Sequence, residues 1–244
     1  VGAALAVKKY LDDGGKGTVV YFGCPAEEGG AGKVFMARAG LFDELDCAIT
    51  WHPSFFSSIS VDSFLANYQV SYRFKGISSH AAIAPHKGRS ALDALELMNV
   101  GVQFLREHII QEARVHYAIT DAGGISPNVV QPNAEALSLI RAPKMPQVQE
   151  IYERINKIAR GAAMMTETEV EIQFVKALAN VIPNRTLAQV MQRCAEAIPA
   201  SEYTEEEKAY ARSLISADVA AKDAEGFLRK YRDPQVAEQL RKTV

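Results

Sequence analysis

Long apolar runs are missing from this sequence of 244 residues. No stretch approaches the roughly 20 apolar residues that a helix needs to cross a bilayer, so a membrane-spanning helix is excluded. A surplus of charge is missing too: 27 Lys and Arg stand against 29 Asp and Glu, a net charge of −2. That balance gives no electrostatic footprint for nucleic acid or a membrane surface as partner. Cysteine is scarce, and Cys24, Cys47 and Cys194 are odd in number and scattered. A disulfide framework is not expected, and a reducing cytoplasm is the expected compartment. The glycines near residue 30 do not make a Walker loop, because Glu27 stands where its first glycine belongs and Val34 where its Ser or Thr belongs. A dinucleotide fingerprint, internal repeats and low-complexity tracts are absent as well.

What is present is the composition of a globular protein, with 48% apolar residues and length enough for one large or two ordinary domains. The first residue is Val, and "VGAALAVKKYL" reads as a helix already under way, with no capping residue before it. It has no basic n-region and cleavage site, so it is not a signal peptide. The expectation is an internal piece of a longer protein.

Residues 2–12 read as a helix ended by "DDGGKG". "TVVYFG" (Thr18 to Gly23) and "DCAITW" (Asp46 to Trp51) read as buried strands, with a helix in "GKVFMARAGLF" between them. This order predicts a β-α-β unit with parallel strands. The pattern changes near Ser63. In "NYQVSYRFK", Tyr68, Val70, Tyr72 and Phe74 alternate with Gln69, Ser71, Arg73 and Lys75, as in a half-exposed strand. A helix follows from about Gly88, with Ala91, Leu95, Met98, Val102, Leu105 and Ile109 on one face and a second apolar line of Ala94, Leu97 and Phe104. Strands are expected at 113–121 and 134–141, then a helix opened by Pro146, then a strand in "EVEIQF". The order β-α-β-β-α-β is ferredoxin-like. The predicted fold is α/β: a catalytic domain with a mainly parallel sheet in 1–62, an inserted lid in 63–176, and a return to the catalytic domain in 177–244. A capping box at Thr204 and Glu207 starts a charged helical tail.

Chemistry concentrates at "YFGCPAEEGGAGK". Glu27 and Glu28 follow one expected parallel strand and His52 ends the next, where ligands gather in open α/β sheets. Adjacent residues in extended backbone point in opposite directions, so one carboxylate can bind a metal while the other serves as base. His and Glu suit zinc or manganese. The same residues read equally well as a solvated turn and a hydrogen-bonded strand end. Cys24 reads as a buried strand-end cysteine, His86 as a surface residue, His108 as a partner for a helix dipole, and His116 as the outer face of a strand. His80 lies in the small-residue loop "SSHAA", from which it could project.

"GCPAEEGGAGK", "TWHP", "FKGISSHAA", "PHKGRSALDA", "VHYAITDAGGISPNVVQPNAE", "LIRAP" and "MTETEV" together resemble the aminoacylase/carboxypeptidase family of dinuclear metallohydrolases. The likeness runs from residue 1 to about 190 and is weak in the tail. It implies a cytoplasmic amidohydrolase that cleaves the amide bond of an N-acyl amino acid, with p-aminobenzoyl-glutamate, a folate breakdown product, as favoured substrate. A relative acting on another N-acyl amino acid or dipeptide is the alternative, and a non-catalytic dimerisation or ligand-binding module is a third reading. The resemblance implies Glu27 as general base, Glu28 and His52 as metal ligands, and two divalent ions, Zn or Mn, in the full-length enzyme. It implies that His80 reaches the partner subunit's site and steadies the oxyanion, and that Asn128 and Arg141 hold the substrate carboxylate. The implied partners are the small-molecule substrate, a second copy through the lid, and a second hydrolase subunit. The family's other metal ligands belong before Val1 and far downstream, and no histidine follows His116. The chain as given is expected to hold half a metal site and not to catalyse alone.

Overall fold

The computed structural model describes residues 1–53, 58–198 and 202–214. Compactness divides them into two units: 1–48 with 62–182, and the described residues within 49–61 and 183–244.

The first unit is organised by a four-stranded antiparallel sheet. Its strands are β1 (Ala66–Lys75), β2 (Arg114–Asp121), β3 (Asn133–Ala142) and β4 (Glu169–Leu178), in the order β2-β3-β1-β4. Helix α3 (Ala91–Arg106) joins β1 to β2, and α4 (Met145–Thr166) joins β3 to β4. This is the ferredoxin-like arrangement that the sequence pattern predicts. The alternation in β1 places Val70, Tyr72 and Phe74 in the core, opposite Ser138, Ala136 and Ala134 of β3. Both helices cover that face with Leu95, Met98 and Val102 of α3 and Val148, Ile151 and Ile155 of α4. Ser90 caps α3 by accepting from the Asp93 amide at 3.0 Å. One polar pair is sealed inside: the Tyr72 hydroxyl donates to Asn156 Oδ1 at 2.8 Å. Burial pushes the Tyr72 phenol well above its ordinary value, so it stays a donor.

The remaining elements of this unit are α1 (Gly2–Asp12) and α2 (Gly32–Arg38). The expected parallel pair at 18–23 and 46–51 is not formed: among the described residues neither run joins a strand. Val20 and Tyr21 are exposed, as are Ile49 and Trp51. The physical reason is that a parallel strand is stable only when neighbours satisfy its backbone and helices cover both faces. The described residues supply neither, and the only sheet they form is antiparallel.

The second unit holds α5 (Arg185–Glu196) and α6 (Glu205–Leu214). The capping box forms as expected, with the Glu207 amide on Thr204 Oγ1 and the Thr204 amide on Glu207 Oε2.

Candidate functional site

Glu27 and Glu28 sit in a turn that runs straight into α2. Ala26 takes a left-handed conformation at φ 55°, and the Gly30 amide closes the turn on Ala26 O at 2.9 Å. Gly32 is required by space: a Cβ there would lie 2.0 Å from Pro25 O. Both carboxylates are exposed. Lys176 of β4 donates to Gly29 O at 2.7 Å and ties the turn to one end of the sheet.

His52 lies in the other unit, exposed, with Nδ1 2.8 Å from Pro53 O. That contact makes Nδ1 the donor and leaves the Nε2 lone pair available to a metal, the usual arrangement of a ligating histidine.

His80 is held from both sides. Its backbone bridges Val129, the Ala81 amide donates to Asn128 O at 2.9 Å, and the Val130 amide donates to Ser79 O. The neck of the His80 loop is closed by reciprocal bonds between Ile77 and Arg89. Gly88 permits the packing, since a Cβ there would meet Ser79 Oγ at 2.3 Å and Val130 Cγ1 at 2.9 Å. The Ala82 and Ile83 amides both point at His80 Nδ1, at 3.2 and 3.3 Å. Nδ1 is therefore an acceptor and the proton sits on Nε2, which makes the exposed ring edge a hydrogen-bond donor.

His80 and Asn128 are thus brought together, and Arg141 is not with them. The Gly76 amide bonds Pro132 O, so both loops leave the sheet where Lys75 pairs with Asn133. Arg141 pairs with Asn67 at the opposite end. Arg141 lies eight residue steps along β3 from Asn133, about 26 Å at ~3.3 Å per residue. Arg141 instead shares its end of the sheet with Lys176, and hence with the Glu27–Glu28 turn. That division depends on strand register and is not visible in residue order alone.

The described residues do not fit a complete metal centre. Glu28 and His52 have the right donor chemistry, but no three His, Cys, Asp or Glu side chains converge among the described residues. A catalytic zinc takes at least three protein ligands.

No protein-family model matches the chain. It is 55% identical to a subunit of the p-aminobenzoyl-glutamate hydrolase of Escherichia coli (strain K12), over 93% of this chain and 47% of that protein. It is 33% identical to the Xaa-Arg dipeptidase of Mus musculus, over 85% of this chain and 45% of that protein. The chain spans about half the length of these curated relatives. Among solved structures, an amidase of the hydantoinase/carbamoylase family from Burkholderia vietnamiensis superposes with a TM-score of 0.50 at 13% identity. It covers 60% of this chain and 35% of that one, a likeness of fold alone. The chain belongs to the aminoacylase/carboxypeptidase family that its sequence motifs resemble. Within that family it is similar to the aminobenzoyl-glutamate hydrolase subunit across nearly its whole length.

Proposed function

We propose that the whole protein is a metal-dependent amidohydrolase of N-acyl amino acids, with p-aminobenzoyl-glutamate as favoured substrate and the cytoplasm as its compartment. The observation that carries this reading is the 55% identity to a hydrolase subunit of that name across nearly the whole chain. In this reading Glu27 takes a proton from the attacking water, the amide C–N bond breaks, and Glu27 returns the proton to the leaving amine. Water supplies the hydroxyl of the new carboxylate. The His80 Nε2–H is a donor for the carbonyl oxygen as it becomes an oxyanion. Arg141, with its planar fork, and Asn128, which comes with His80, hold the substrate carboxylate.

Glu28 and His52 are the proposed contributors to a divalent-metal site for Zn or Mn, completed by groups outside the described residues. The 244-residue chain alone should hold no stoichiometric, tightly bound metal, as measured by elemental analysis after dialysis.

The separation of about 26 Å between the two ends of β3 favours a site shared by two copies, with His80 and Asn128 of one subunit serving the Glu27 and Arg141 of another. Two surfaces suit such a pairing: the exposed Leu97, Val100 and Phe104 on α3, and the edge strand β2, where Tyr117 and Ile119 are exposed. The domain division at 63 and 176 follows this reading, with the sheet and its helices as lid and dimerisation domain. A second hydrolase subunit is a further proposed partner, supported by the relative's being named as one subunit of a hydrolase. The test is hydrolysis of p-aminobenzoyl-glutamate by the whole protein with added Mn²⁺ or Zn²⁺, together with its mass in solution. Turnover by a dimer is expected. A folded, metal-loaded protein without turnover would favour the non-catalytic binding module, and a monomer with full turnover would remove the shared site.

A further inference from the structure

The sheet face turned away from the helices is unevenly charged. At one end each cation has an acid beside it. Arg73 donates to Glu135 at 3.0 Å and stands opposite Glu171, and Lys75 stands opposite Glu169. At the other end Arg141 of β3 stands opposite Arg114 of β2 on one side and Asn67 of β1 on the other. The adjoining row holds His116, Leu139, Gln69 and Lys176, with no acid among them. Two arginines directly opposite each other in an antiparallel pair have Cα atoms only about 5 Å apart and repel. Neither has a carboxylate partner among the described residues.

Arg114 is also held in a specific pose. Its Nη1 donates to Gln111 O at 2.6 Å and to Ala113 O at 2.7 Å. Those two bonds fix the guanidinium plane, and among the described residues the Nε and Nη2 edge has no partner. That edge presents two parallel N–H groups, the fork that a carboxylate meets bidentately. A fixed fork beside a second arginine suits a ligand with two carboxylates joined by a short carbon chain. The Lys176–Gly29 bond places the Glu27–Glu28 turn at this same end of the sheet.

Resting on the amidohydrolase reading, we propose that Arg114 is a specificity-determining residue that takes the side-chain carboxylate of the substrate while Arg141 takes its α-carboxylate. The protein then selects N-acyl amino acids that carry two carboxylates over those that carry one.

The test compares p-aminobenzoyl-glutamate with p-aminobenzoyl-glutamine, which has nearly the same shape and lacks only the second charge. In the whole protein, Arg114→Gln should lower kcat/KM on the glutamate substrate by ~10–100-fold and on the glutamine substrate by less than ~3-fold. Arg141→Gln should lower both. Equal losses from Arg114→Gln, or none on the glutamate substrate, overturn the proposal. Arg114→Lys keeps the charge without the fork and should fall between wild type and Arg114→Gln, and it carries the comparison if the glutamine variant does not fold. Calorimetric binding of the two compounds gives the same ratios without turnover. If the whole protein hydrolyses neither compound, the amidohydrolase reading falls. The binding preference for glutamate, and its loss in the Arg114 variant, still decides the role of Arg114.

Discussion

Val70 and Tyr72 in β1 are fully buried, whereas Val20 and Tyr21, in a run with the same β-branched and aromatic character, are 53% and 64% exposed. The contrast holds across the two regions that contain them. Between residues 66 and 163 the sheet and its helices bury a continuous core, while in 1–53 Ala31 alone is a buried apolar residue. Local sequence states a demand for burial, and neighbouring strands and helices decide whether it is met. β1 has a strand on each side and two helices on one face, whereas the run at 18–23 joins no strand among the described residues. The region that holds the candidate base and metal ligand is thus the one with the least packing of its own, and the region that holds the candidate substrate-side residues is a finished core.

The sharpest separation of the two regions is kinetic. Glu27→Gln keeps the shape of the turn and removes the proposed base, so in the whole protein kcat should fall by ~10²–10⁴-fold. Metal content and melting temperature should hardly change, because the Glu27 side chain is exposed and outside the core. Glu28→Ala should instead lose metal. Near-normal turnover in the Glu27 variant would remove the base from that turn.

Stability should divide the regions in the reverse sense. Leu95 of α3 is fully buried in the core, and Leu95→Ala should cost about 2–5 kcal/mol through lost burial and the cavity left behind. In the 244-residue chain, Val20→Ala should fall within about 0.5 kcal/mol of wild type, as expected for a substitution outside a core. Chemical denaturation of the two variants checks the pair. Similar losses would mean that 18–23 is packed as tightly as β1.

Arg141→Ala sharpens the comparison on the substrate side. It should weaken use of carboxylate-bearing substrates by about 1.5–3 kcal/mol, the worth of a charged hydrogen bond. Its effect on an uncharged amide analogue should be small, and its melting temperature close to wild type, since the side chain is exposed. Equal losses on both substrates would take Arg141 out of carboxylate binding.

What could be read in the sequence followed this same division. The alternation of Tyr68 to Lys75 and the stripe from Ala91 to Leu105 contain their own answer, because pleat and helix period alone fix which side chains share a face. Ala94 is the exception within α3: it reads as part of a second, outer line but is fully buried, while Leu97 and Phe104 beside it are exposed. α3 packs on both the sheet and α4, so its covered face is wider than one stripe, and a small residue at its margin is drawn inside. The parallel strands at 18–23 and 46–51 could not be settled the same way, since a continuous apolar run says nothing about which strand lies beside it. Register hid the rest. That Arg141 faces Arg114, and that His80 and Asn128 lie at the far end of β3, follow from pairings between segments many residues apart. An alternation pattern shows that Arg114 and His116 share a face, and only the β2–β3 pairing shows what they face.

The smallest expected effect lies in the sheet itself. The Ser71 hydroxyl donates to Glu135 Oε1 at 2.7 Å, and Arg73 donates to Oε2 at 3.0 Å. The Ser71 bond, aided by Arg73 and opposed by partial burial, holds the Glu135 carboxyl below its ordinary value of 4.5. The folded state therefore binds this proton less readily than the unfolded chain. Its stabilisation is fully present above pH 4.5 and is lost as pH falls from there through the lowered folded value. Arg73 is 44% exposed and Glu135 25%, so solvent screens the pair and its worth stays below about 1 kcal/mol. Glu135→Gln leaves Ser71 an oxygen to donate to and removes the titrating group. Its melting temperature should lie slightly below wild type near neutral pH, with the gap closing as the solution is acidified below pH 4.5. A gap that is constant with pH would mean that the carboxyl contributes by shape and neutral hydrogen bonding alone, and not through its charge.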